Sequence, residues 1–254
     1  MNSKRNHRYE PQSKLWKHFA ASCVVLYPPL RGIVQLTNSA TLRFRNWSFT
    51  NKLFIFLLPA VLLVVGLTAC SPTVRLPRLA ADAVVVAFGD SITFGTGAST
   101  QESYPAVLEK LIGRRVVNAG VPGEVTANGL SRLPEILERE KPALLIICHG
   151  GNDLLRRLNE QQTVDNLRKM IRLAKQRGVP VVMIAVPSPG IFVSPAPFYR
   201  DIAKELNIPL EEERLSLVLA DGSLKSDYIH PNAAGYRRLA ESLAALLKKS
   251  GAID

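Results

Sequence analysis

From residue 83 onward, short apolar runs alternate with longer stretches in which apolar positions recur every three or four residues. Ala83–Phe88, Val116–Asn118, Leu144–Cys148 and Val181–Val186 are short, rich in β-branched side chains and nearly all apolar. Such runs suit strands covered on both faces, as in a parallel sheet. Ser103–Ile112, Asn128–Glu140, Gln161–Arg177, Pro197–Leu206 and Asn232–Lys249 carry helical spacing instead. In the third of these, Val164, Leu167, Met170, Ile171 and Ala174 share one side. Arg168, Lys169, Arg172 and Lys175 lie on or near the other, as a solvated face does. Gly178 stops that helix before the next strand. The alternation predicts one α/β domain over residues 82–254, a three-layer α/β/α sandwich around a doubly wound parallel sheet.

Upstream the pattern changes. Leu53–Ala69 holds no charge and follows Arg43, Arg45 and Lys52, the plan of a secretory signal. It ends Leu67-Thr68-Ala69-Cys70, similar to a bacterial lipobox, in which the Cys70 thiol accepts the lipid and becomes the first residue of the mature chain. The other reading is an uncleaved anchor, because the charge-free run continues to Val74, long enough to span a bilayer. Either way the body is expected to be exported and tethered. Residues 1–69 then form leader and signal, and residues 70–81 a tether containing Pro72 and Pro77. Ser71 stands where an Asp-type retention signal would be. By resemblance to other lipoproteins, this points to the outer membrane, facing the periplasm.

Charge follows the same division. The net charge of +11 looks like that of a nucleic-acid binder until it is located. Nine of the 32 Lys/Arg but one of the 21 acids lie in residues 1–69, which leaves the body only +3. The body therefore gives little electrostatic reason for a polyphosphate partner, and no nucleic acid is expected. Three cysteines are too few for a disulfide framework.

The candidate chemistry sits in loops that begin at predicted strand ends, where sites form in such sheets. Gly89-Asp90-Ser91 follows the first strand, Gly120-Val121-Pro122-Gly123 the second and His149-Gly150-Gly151-Asn152-Asp153 the third; Asp227-Tyr228-Ile229-His230-Pro231 precedes the final helix. A serine hydroxyl is a weak nucleophile and needs a base within hydrogen-bond reach. His230 is placed to be that base for Ser91, and Asp227, three residues earlier, can orient it. Pro231 suits a first helical position, which would put His230 at a helix start. Donors for a developing oxyanion are available from the Ser91 and Gly123 N–H groups and the Asn152 amide, each worth about 2.7–4 kcal/mol by mutational precedent.

These four blocks, in this order, resemble those of the SGNH (GDSL-type) hydrolases, over about Ala83–Leu247. The spacing is similar to the branch of small bacterial acyl-thioesterase, lysophospholipase and arylesterase enzymes. The resemblance implies a flavodoxin-like sheet, an Asp227–His230–Ser91 triad and an oxyanion hole of Ser91, Gly123 and Asn152. Gly120 competes with Gly123 for that slot. The resemblance further implies an acyl-enzyme esterase acting on small-molecule or lipid acyl esters, with thioesters and lysophospholipids in range. A carbohydrate O-acetyl esterase and a non-catalytic envelope module are the alternatives. No cofactor is expected, and the chain is expected to act as a monomer.

Substrate selection falls to the proline-rich loop 187–197. There Ile191 and Phe192, with Val193, either line an acyl pocket or cover the sheet edge. His149 either lines the same pocket or packs at its strand end. Cys148, inside an apolar run, reads as a core residue, and no His/Cys/carboxylate cluster has metal-ligand spacing.

Overall fold

A computed structural model describes residues 74–190 and 193–254. Its strands are β1 (Val84–Gly89), β2 (Arg115–Gly120), β3 (Leu144–Cys148), β4 (Val181–Ile184), β5 (Pro187–Ser188), β6 (Ser194–Pro195) and β7 (Leu210–Glu211). Five of them form one parallel sheet in the order β2-β1-β3-β4-β7, the flavodoxin-like arrangement. β5 and β6 make a separate antiparallel hairpin.

The central strands bury every residue of Val85–Gly89, β3 and β4, which is why they read as unbroken apolar runs. β2 differs because it is an edge strand. Val116 and Ala119 face inward while Arg115 and Asn118 are exposed, so only a fragment of it stands out in the sequence. Helices Tyr104–Ile112, Arg214–Ala220 and Ala233–Lys249 pack together as one layer. Thr126–Glu140, Glu160–Gln176 and Phe198–Leu206 form the other.

Caps fix two of the long helices. Asn159 Oδ1 accepts the Gln162 N–H at 2.9 Å, and Asn232 Oδ1 accepts the Gly235 N–H at 3.1 Å. The second cap moves the start of the last helix to Ala233. Pro231 is therefore not a helical residue. It bridges to Lys225, and His230 lies outside the helix rather than at its positive end. Several short elements escape the sequence pattern, among them the two-residue β7 and helix Arg214–Ala220.

The chain before β1 is also more ordered than a tether. The Leu76 N–H donates to the Ser250 carbonyl and the Leu79 N–H to that of Ala252, and Leu79 is buried in the core. The packed body thus begins upstream of residue 82. No helix among the described residues is long and apolar enough to cross a membrane. Leu53–Ala69 and Cys70 lie outside the described residues.

Candidate active site

β1, β2 and β3 end level with one another, Gly89 pairing with Gly120 on one side and Cys148 on the other. The loops that follow emerge side by side at the point where the strand order reverses, the usual ligand position of an open α/β sheet. Ser91 opens a four-residue helix directly after β1. Asp90 caps that helix, its Oδ1 accepting the Ile92 N–H at 3.1 Å. Burial pushes the Asp90 carboxyl above the usual range.

The partner of Ser91 comes from the loop before the last helix. The Ser226 N–H donates to the His230 carbonyl at 2.9 Å and closes the loop. Inside it Asp227 Oδ1 accepts the N–H groups of Ile229 and His230, both at 2.8 Å. Asp227 Oδ2 accepts from His230 Nδ1, also at 2.8 Å. With its proton on Nδ1, the imidazole presents a bare Nε2 to Ser91, whose Oγ lies 3.0 Å away. Partial burial raises the Asp227 carboxyl, but these three hydrogen bonds outweigh it and hold the group below the usual carboxylate range. Nε2 can thus take the Oγ proton, beside a carboxylate that stays ionised at neutral pH.

Two neighbouring loops carry the other expected donors, of which Asn152 lines the cleft and Gly123 does not. Gly123 has φ +76°, a conformation that favours glycine. Its N–H and that of Ser91 have no acceptor among the described residues. The Gly120 N–H, by contrast, already donates to Asn118 Oδ1 at 3.0 Å. That leaves Gly123 as the loop glycine with a free donor. The Asn152 amide donates to the Glu124 carbonyl at 3.0 Å, and its nitrogen lies 3.4 Å from Asp90 Oδ2, a long contact. Ser91, Asn152 and His230 all line a cleft of about 350 Å³. Leu155, Val186, Val193, Leu219, Tyr228 and Ile229 supply much of its apolar wall.

Residues 87–238 match the profile of the GDSL-like Lipase/Acylhydrolase family. The chain belongs to that family. It is 33% identical over 196 residues to Esterase TesA of Pseudomonas aeruginosa, covering 72% of this chain and 96% of that one. It is 29% identical over 179 residues to Thioesterase 1/protease 1/lysophospholipase L1 of Escherichia coli (strain K12), covering 67% and 86%. The crystal structure of TesA superposes with a TM-score of 0.61 at 32% identity, over 66% of this chain and 99% of that one. This GDSL-family member is a serine ester hydrolase, and its substrates are acyl esters.

Not every expected site residue of this GDSL-family hydrolase reaches the cleft. His149 is fully buried and does not line it, which corrects the pocket reading. Its Nδ1 accepts the Gly150 N–H at 3.0 Å and its Nε2 faces Glu124 Oε2 at 3.1 Å. Ile191 and Phe192 lie outside the described residues, while Val193 beside them does line the cleft. Cys148 is fully buried, and burial pushes its thiol up, so it is a core residue. Asp153 accepts the Thr126 N–H and hydroxyl at 2.9 and 2.6 Å and holds the third loop against the start of the helix that follows the second. Among the described residues no His, Cys, Asp and Glu cluster could hold a metal ion.

Sequence reasoning missed Glu124, Arg132 and Tyr228. The first two are an ion pair eight residues apart, a separation with no helical or strand signature. Tyr228 is 93% exposed at the cleft rim, next to Asp227, and nothing in its local spacing marks it out from other loop residues.

Proposed function

We propose that Ser91 is the nucleophile of an acyl-enzyme reaction, His230 its general base and acid, and Asp227 the residue that orients His230. In the first step His230 Nε2 takes the Oγ proton as Oγ attacks the ester carbonyl carbon. The carbonyl oxygen becomes an oxyanion that receives the Ser91 and Gly123 N–H groups and the Asn152 amide. Collapse expels the alcohol, which His230 protonates. Water then attacks the acyl-serine, His230 taking its proton, and the acid departs with Ser91 restored. The observation that carries this reading is the unbroken chain Asp227 Oδ2–His230 Nδ1, 2.8 Å, and His230 Nε2–Ser91 Oγ, 3.0 Å.

The apolar cleft supports acyl chains of medium to long length over acetyl groups, because an acetyl group would leave the Leu155, Leu219 and Ile229 surfaces unused. Esterase TesA and Thioesterase 1/protease 1/lysophospholipase L1 are named for esters, thioesters and lysophospholipids, and the same range is proposed here. Assay of the full chain on p-nitrophenyl esters from acetate to myristate, acyl-CoAs, lysophospholipids and acetylated glycans tests it. Preference for acetylated glycans would reject the acyl-cleft reading in favour of a carbohydrate O-acetyl esterase.

The anchor belongs to the same proposal. Leu67-Thr68-Ala69-Cys70 supports lipidation at Cys70, and Ser71 after it supports residence in the outer membrane, facing the periplasm. Leu76 pairs with Ser250, at the end of the 17-residue helix that starts beside His230. Such a helix is about 25 Å long, so Leu76 and His230 lie near its two opposite ends. Palmitate labelling that is lost in Cys70→Ala is the expected result; labelling that persists would reject the anchor.

A further inference from the structure

Beneath the loop that carries Gly123 lies a charged cluster that the reaction above does not use. Glu124 is 7% exposed, and its two carboxylate oxygens receive three donors. Arg132 Nε donates to Oε1 at 2.9 Å and Nη2 to Oε2 at 2.6 Å. His149 Nε2 is 3.1 Å from Oε2. Because His149 Nδ1 accepts the Gly150 N–H, the ring proton sits on Nε2 and is donated to Glu124. The ring lies close against the Gly129 backbone, where a Cβ would stand 2.4 Å from Nε2. Arg132 is fixed as well. Its Nη2 also donates to the Ala119 carbonyl at 3.1 Å, and its guanidinium lies 4.3 Å from the centre of the Phe88 ring.

Every attachment of this cluster leads to a strand end or a donor of the reaction. Ala119 and Phe88 are the penultimate residues of β2 and β1, Phe88 two residues before Asp90, and Gly150 precedes the helix of Asn152. Glu124 follows Gly123 directly, and its own carbonyl accepts the Asn152 amide. One ionised side chain therefore sets the height of Gly123 and, through the backbone, the direction of Asn152.

We propose that Glu124, held by His149 and Arg132, is a positioning residue for the oxyanion donors Gly123 and Asn152. It touches no substrate atom. Its action is to hold two donors at a fixed spacing from Ser91, so that they meet the oxygen of the transition state rather than that of the bound ester. The proposal rests on the oxyanion roles given above to Gly123 and Asn152.

The test is a set of double-mutant cycles on the full chain, reading kcat, KM and melting temperature. Glu124→Gln and His149→Leu are each made in the native sequence and in Asn152→Ala. His149→Leu removes one donor but keeps the Glu124–Arg132 pair, so it remains informative where Glu124→Gln fails to fold. His149→Gln is the conservative variant, because its amide N–H can stand where Nε2–H stood. The expected result is a kcat loss of about tenfold for each variant, with KM within about twofold. In the Asn152→Ala background the same substitution costs about threefold or less, and His149→Gln recovers most of the loss seen in His149→Leu. Equal losses in both backgrounds, with Asn152→Ala itself impaired, overturn the positioning role and leave the oxyanion reading intact. An Asn152→Ala chain with undiminished kcat overturns both. Loss confined to KM, or to melting temperature, overturns the positioning role as well.

Discussion

The Tyr236 hydroxyl donates to the Thr96 carbonyl at 2.7 Å, joining the last helix to the turn just behind Ser91. Ser91 and His230 are 139 residues apart, and this bond fixes the two segments that carry them at one point outside the site. Tyr236 is fully buried, so its removal leaves a carbonyl without its partner. Tyr236→Phe is expected to cost about 1–2 kcal/mol of stability, measured by urea unfolding, and to lower kcat a few-fold.

Gly150 combines φ +105° with a Cβ position 2.7 Å from the Tyr199 hydroxyl. That hydroxyl cannot easily retreat, since it donates to the His149 carbonyl at 2.7 Å. Gly150→Ala is expected to destabilise the fold by about 2–4 kcal/mol, from backbone strain and overpacking together. A shift of the urea midpoint measures it.

Acid stability should depend on Glu124. Burial raises its carboxyl, but the bonds from His149 and Arg132 and the charge of Arg132 hold it at about 2, against an ordinary value of 4.5. A folded pKa below the unfolded one gives stability that is fully present above the unfolded value and lost as pH falls towards the folded one. Stability is therefore expected to decline between about pH 5 and pH 2. Glu124→Gln should be less stable than the native chain at pH 7, with the gap closing across that window. Urea titrations at a series of pH values give the comparison.

The cleft predicts a graded chain-length profile. Each buried methylene is worth about 0.8 kcal/mol, so kcat/KM should rise by up to about fourfold per carbon until the apolar wall ends. Tyr228, 93% exposed at the rim, contributes only to the longer chains. Tyr228→Ala is expected to leave acetate and butyrate esters unchanged and to lower kcat/KM for longer esters about threefold or more. The p-nitrophenyl ester series reads both effects.

The parallel sheet between two helix layers follows from patterns visible in the chain, whereas its flavodoxin-like order was implied only by the family resemblance. β1, β3 and β4 are buried on both faces and so read as continuous apolar runs, and glycine-rich segments mark where β1 and β3 stop. β7 was hidden because two residues cannot show a period, and it joins the sheet through pairing with β4 alone. The misplaced start of the last helix has a simple cause. Pro231 looked like a first helical residue, but the Asn232 side chain makes the cap. His149 illustrates the harder case: a histidine at a strand end faces either the cleft or the core. Its direction is set by Glu124 and Gly129, residues 25 and 20 positions earlier that no local spacing connects to it. Ser91, Asp227 and His230 were legible because loop position and residue type coincide there, whereas Glu124 and Arg132 act through tertiary contact alone.

Reaction of the full chain with a fluorophosphonate, followed by peptide mass spectrometry, tests the identity of the nucleophile most directly. A single adduct on the peptide containing Ser91, slowed at least a hundredfold in His230→Ala and absent in Ser91→Ala, is the predicted result. An adduct on another residue, or one that persists undiminished in Ser91→Ala, would contradict it.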